Sequence, residues 1–150
     1  MFRVREASID EVLEVESRIV EFGGVYDPNR YTAELAGTEH LALVAVEDGT
    51  GRLIGYKVGY ALDEVTFRSW FGGVVPDARG KGVATALRET QERWAAERGY
   101  ERIRVGSKNQ FPNMLRLLIG AGYQIVDVEQ APRGARIIFE LELPRRSDTH

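Results

Sequence analysis

Between Val74 and Thr85 the chain reads Val-Val-Pro-Asp-Ala-Arg-Gly-Lys-Gly-Val-Ala-Thr, so that Arg79 and Lys81 alternate with Gly80 and Gly82. Glycines let the main chain approach a ligand with no Cβ in the way, and the two cations add positive charge at the rim. The preceding stretch, residues 65–75, is rich in Val, Phe and Trp, while Val83, Leu87, Thr90 and Trp94 recur afterwards at helical spacing. The segment therefore predicts a strand, a basic turn and the N-terminus of a helix. Unsatisfied N–H groups and the positive helix end would both point at a bound phosphate. An anion cradle is the chemistry these residues support.

Spacing separates the phosphate loops that could be built this way. A nucleotide-binding P-loop has its first Gly where Val75 stands, and a Mg²⁺-binding hydroxyl where Gly82 follows Lys81. A dinucleotide fingerprint would use Gly80 and Gly82, but Thr85 occupies its third glycine position and the motif lies in mid-chain. The pattern [QR]-x-x-G-x-[GA] behind V-x-P is met in full by Arg79, Gly82 and Ala84 behind Val74 and Pro76. With those residues the chain resembles the GNAT N-acetyltransferase superfamily. The resemblance extends to Val105–Asn109, which is similar to the family's V-x-x-x-N, and to the Gly122-Tyr123 pair after the apolar segment 113–119.

The resemblance implies a site for acetyl-CoA. Main-chain groups of Val74 and Val75 would face the pantetheine arm, and Arg79, Gly80, Lys81, Gly82, Val83, Ala84 and Thr85 the pyrophosphate. Asn109 would face the pantetheine from the next strand. Two family positions depart from the pattern. A frequent general-acid Tyr lies four residues before the Gly of the Gly-aromatic pair, where this chain has Leu118, and a frequent carboxylate lies eleven residues before the [QR], where it has Arg68. Proton transfer then falls to other groups, and strand position selects the hydroxyls of Tyr60 and Ser69. Glu21, Glu34 and Glu64 are further carboxylates that could act as a base, each better suited to a solvated surface.

These groups need a scaffold. Ser8 and Glu11 have capping-box spacing, and Ile9, Val12, Leu13, Val15, Ile19 and Val20 form an apolar stripe that predicts a helix running to Gly23-Gly24. Asp27-Pro28 predicts the cap and first residue of a short second helix ending near Gly37. Strands follow at 41–46, 53–62 and 65–75, then the helix behind the loop, closed by Gly99. A strand at 103–105, a helix from about Pro112 and a strand pair at 124–128 and 136–143 complete the order β-α-α-β-β-β-α-β-α-β-β. Asn113 reads as the cap of the last helix, and Gly72-Gly73 marks a bulge in mid-strand. The fold class is α/β, a mixed twisted sheet of about seven strands with helices on both faces, in one domain over residues 1–144 with a polar tail at 145–150.

Composition narrows the chemistry further. The chain has 150 residues, no Cys and two His, which excludes disulfides, thiolate catalysis and a His/Cys zinc cluster. His40, before a buried strand, reads as structural, and Tyr123 as a ring packed in the core. A net charge of −3 argues against a general nucleic-acid binder, and no apolar run reaches the ~18 residues of a membrane span. The resemblance implies an acyltransferase moving acetyl from acetyl-CoA to a primary amine without a metal, and the sequence is read as cytoplasmic. The acceptor would be a small molecule or a peptide, and self-association as a homodimer stays open. The alternative is a non-catalytic acyl-CoA-binding or sensor domain, favoured by Leu118 and Arg68.

Overall fold

In the computed structural model, which describes residues 1–19, 28–108, 112–132 and 134–144, the capping box forms as its spacing predicts. Glu11 N–H donates to Ser8 Oγ at 3.2 Å, and Ser8 N–H donates to the Glu11 carboxylate at 3.1 Å. In chain order the elements are β1 (Phe2–Glu6), α1 (Ile9–Glu16), α2 (Pro28–Leu35), β2 (His40–Glu47), β3 (Leu53–Ala61) and β4 (Thr66–Val74). They continue with α3 (Val83–Glu97), β5 (Arg102–Lys108), α4 (Pro112–Gly120), β6 (Gln124–Ala131) and β7 (Gly134–Glu142). This is the order the sequence predicts. The seven strands form a mixed sheet ordered β1-β2-β3-β4-β5-β7-β6, with β4 parallel to β5 and the pairs β1–β2, β2–β3, β5–β7 and β6–β7 antiparallel.

Contacts group the chain into two units, residues 1–60 with 71–93, and residues 61–70 with 94 onward. In the first unit every residue from Leu41 to Val46 is buried, as a strand covered on both faces requires. Helices cover β3 from both sides. A Cβ at Gly55 would meet Val83 and Leu87 of α3, whereas the next residue, Tyr56, interacts with Glu16 and Tyr31 at α1 and α2. In the second unit Phe67 sits 5.2 Å from the ring centroids of both Trp94 and Tyr100, with Ile103 and Phe139 fully buried in the same unit.

Several element ends differ from the sequence expectation. α1 stops at Glu16, well before Gly23-Gly24, where Ser17 caps it and turns its hydroxyl back onto the Glu14 carbonyl at 2.7 Å. β5 continues to Lys108 because β7 supplies a ladder as far as Arg136. Asn113 lies inside the first turn of α4 and is not its cap. Breaks in strand register lie at Ala45/Val46 and Ile125/Asp127, and Thr66–Ser69 pairs with Arg102–Val105 in unbroken register, a stretch that ends before Gly72-Gly73. Val20, Glu21, Gly23-Gly24, Asp27, Asn109 and the tail at 145–150 lie outside the described residues.

Candidate functional site

The cradle is built by the main chain. After β4, Pro76–Ala78 make a single 3₁₀ turn, and Gly80 and Gly82 follow with φ of 77° and 83°, a conformation that glycine adopts without strain. A Cβ at either position would meet nothing within 4 Å. Both backbones therefore border open space. The first intrahelical bond of α3 runs from Ala86 N–H to the Gly82 carbonyl at 3.0 Å. That geometry leaves the N–H groups of Val83, Ala84 and Thr85 unused by the helix, which places free donors and the positive helix end at one spot.

Side chains hold this backbone in place. Val83 is buried against β3 at Gly55, and Ala84 and Thr85 are exposed. Arg79 spends its Nε on the Val74 carbonyl at 3.1 Å, tying the loop to the strand end, and Lys81 is exposed near enough to Glu47 to lower that carboxyl's pKa slightly, after Thr50 and Arg52. Arg52 braces the 3₁₀ turn through Asp77 at 2.9 Å. Val75 is core, and its N–H donates to the Ile54 carbonyl at 3.0 Å. Its carbonyl accepts from Ala78 N–H at 3.0 Å, so both main-chain groups of Val75 have partners within the chain.

Among the expected proton-transfer groups, the structure joins Tyr60 to Glu34. The Tyr60 ring is buried and its hydroxyl donates to the exposed Glu34 carboxylate at 3.3 Å. Ser69 is buried, and alternation along β4 puts it on the face of Phe67, which packs on Trp94 and Tyr100, with Arg68 on the other. Glu64 is exposed in the bend between β3 and β4. Leu118 and Tyr123 are buried, and His40 is exposed with Nδ1 against the Thr38 carbonyl at 3.1 Å.

Two groupings of the first unit are absent from the sequence expectation. Glu16 is buried and accepts from Arg30 and from the Tyr31 hydroxyl, each at 2.5 Å, while the Arg30 guanidinium lies over the Phe71 ring at 4.4 Å. Burial first, and then the hydrogen bond to Glu16 and its charge, raise the Tyr31 pKa; burial also raises that of Tyr56. This network docks α2 on α1. On β3, burial, reinforced by the Arg88 charge and opposed by Glu92, brings the Lys57 ammonium down to about 8. A lone Lys between Tyr56 and Val58 in an otherwise uncharged strand is the signal that could have found it.

The second unit holds a cleft of about 410 Å³ lined by Arg68, Arg104, Arg136, Asp127, Glu129 and Glu140 among others. Arg104 makes two bonds to one oxygen of Glu140, at 2.8 and 2.5 Å. Arg136 stands 3.8 Å from Glu129. Among the described residues no group of His, Cys, Asp and Glu is placed to hold a metal ion, and no helix is long and apolar enough to cross a membrane.

Comparison with known proteins gives one consistent answer. The model of the acetyltransferase (GNAT) family matches residues 9–118. The ribosomal-protein-S18-alanine N-acetyltransferase of Escherichia coli superposes with a TM-score of 0.82 at 13% identity, over 100% of this chain and 99% of that one. Ard1 of Thermoplasma volcanium gives 0.79 at 16%, over 96% and 99%. An aminoglycoside 6'-N-acetyltransferase complexed with coenzyme A gives 0.77 at 16%, over 95% and 98%. No protein of curated function matches in sequence.

Proposed function

Starting from the fact that this chain belongs to the GNAT acetyltransferase family, we propose that it moves an acetyl group from acetyl-CoA to a primary amine by direct attack on the thioester. The observation that carries the reading is the cradle: two positive-φ glycines bordering open space beside three N–H groups that α3 does not use. Such a site fits a pyrophosphate through backbone donors and the helix end, with Lys81 at the rim. Acetyl-CoA would supply the activated acyl group. The amine nitrogen bonds to the acyl carbon, the carbon–sulfur bond breaks, and the ammonium proton leaves while the thiolate gains one.

Tyr60 is the preferred proton donor, because its hydroxyl contacts an exposed carboxylate, Glu34, through which a proton can be replaced from solvent. Ser69 is the second candidate, on the less favourable face of β4. Arg79, Gly80, Lys81, Gly82, Val83, Ala84 and Thr85, with the main chain of Val74, form the proposed acetyl-CoA site. The alternative, an acyl-CoA-binding domain without catalysis, is favoured by Arg68 in place of a carboxylate and by the buried Leu118.

Two measurements decide. Acetyl-CoA at 100 times its Kd should stabilise the folded chain by about 2.7 kcal/mol, with ATP and NAD giving no shift. Thiol release with a panel of amines then separates the enzyme from the sensor. Binding without turnover on any amine selects the sensor, and absence of saturable binding rejects both.

A further inference from the structure

Gly106 of β5 is the least expected feature of the charged cleft. A Cβ there would stand 2.6 Å from the guanidinium carbon of Arg136, so that only a glycine lets this head group lie flat over the strand. Across the ladder, Arg68 is directly opposite Arg104, and like charges in that relation oppose strand pairing. Glu140 offsets the Arg104 charge. Arg136 has only Glu129 as an ion-pair partner among the described residues, at 3.8 Å, with the two side chains 37% and 53% exposed. A contact of that kind adds little to stability. The fold has cleared a strand position for a guanidinium that it barely uses.

We propose that this cleft takes the acyl acceptor and that the acceptor carries a carboxylate as well as its amine, the carboxylate being held by the planar fork of Arg136. A guanidinium with free donors matches a carboxylate in two parallel hydrogen bonds. The lining also presents Asp127 and Glu129, so it balances both signs of a zwitterionic amine where a purely cationic or anionic lining would not. The volume lies within the ordinary range of small-molecule sites. The inference rests on the acetyltransferase reading and specifies its substrate class.

The test compares alanine and phenylalanine, each against its own amide, as acceptors with acetyl-CoA. The amides have less basic amines and would react faster at neutral pH on that ground alone. The expected result is a kcat/KM at least tenfold higher for the carboxylates. Gly106→Ala displaces the Arg136 head, the flexible end of a side chain, at little cost to the fold, and Arg136→Gln removes its charge. Both variants should raise KM for the carboxylates about tenfold, leave kcat nearly unchanged and leave the amides alone, whereas a merely structural Arg136 would affect all four acceptors alike. Equal or better use of the amides by the wild type, or a carboxylate preference that survives both variants, overturns the proposal. If no amine is acetylated, calorimetry with N-acetylphenylalanine and its amide decides separately. Carboxylate-dependent binding lost in Gly106→Ala upholds the cleft while the acetyltransferase reading falls, and absence of such binding rejects the cleft.

Discussion

Gly55 in β3 and Gly106 in β5 both leave out a side chain in the interior of a strand, and they make room for different things. At Gly55 the added Cβ would stand 2.8 Å from Val83 Cγ1, 3.2 Å from Leu87 Cδ1 and 3.3 Å from the Gly73 carbonyl, which are packed core and backbone. At Gly106 it would meet the mobile head of one arginine. The first glycine sets how closely α3, and with it the cradle, approaches the sheet. The second clears space for a charge. One region works through main-chain geometry that core packing fixes, the other through side chains that the fold hardly needs, so substitutions should act on binding and stability differently in each.

Gly82→Asp should have the largest effect. It puts a carboxylate at the positive end of α3, facing the expected pyrophosphate, in a conformation that Asp tolerates better than most residues. We expect the Kd for acetyl-CoA to rise roughly 100-fold or more, with the fold kept at a stability cost from the positive φ alone, since nothing lies within 4 Å of the added Cβ. Calorimetry alongside a melting curve reads both. A folded variant with unchanged affinity would move the cofactor away from this loop.

Tyr60→Phe comes next. Loss of a general acid lowers kcat by about 10²-fold or more, with acetyl-CoA affinity unchanged. Glu34→Gln should lower it less and alter its pH profile, because the hydroxyl stays and only its exchange with solvent slows. If Tyr60→Phe retains full kcat across pH, another residue or water carries the proton.

The parts of the molecule that sequence could foresee are those whose causes are local. Ser8 and Glu11 are three residues apart, Gly99 closes its helix within one turn, and the cradle occupies one uninterrupted stretch, so composition and spacing carry enough information. The Glu16–Arg30–Tyr31 network joins two helices and needs their packing, and Arg136 reaches Gly106 only once β7 is set against β5 in register. No periodicity within one segment contains that pairing. The early end of α1 has the same origin, because its buried last residue, Glu16, answers to α2 and not to the apolar stripe.

Gly55→Ala and Gly106→Ala, compared in one melting experiment, test the opening contrast itself. Overpacking against Val83, Leu87 and a backbone carbonyl should cost about 1–3 kcal/mol at Gly55. Gly106→Ala should stay within about 0.5 kcal/mol, because the arginine head moves aside. Equal costs would mean that Arg136 is a packed structural element and would weaken the case for a cleft built for a ligand.

The smallest effect supplies the scale for the cleft charges. Glu11 pairs with Arg5 at 2.6 Å, and that bond, followed by the Ser8 amide, lowers its carboxyl from the ordinary 4.5 to about 2. Because the folded pKa is the lower one, this contribution is fully present above pH 4.5 and disappears as pH falls towards 2. Glu11→Gln keeps an acceptor for the Ser8 amide and loses the ion pair. At pH 6 we expect a loss of no more than about 1 kcal/mol, since both side chains are partly solvated. Melting curves of the variant and the wild type should converge near pH 2, and a gap that persists there would assign the effect to something other than the carboxylate charge. The Arg104–Glu140 pair is as close, at 2.5 Å, but both of its bonds go to one carboxylate oxygen. If Glu140→Gln costs no more than Glu11→Gln at pH 6, the cleft charges contribute no more to stability than an ordinary surface pair, and their arrangement is free to serve a bound acceptor.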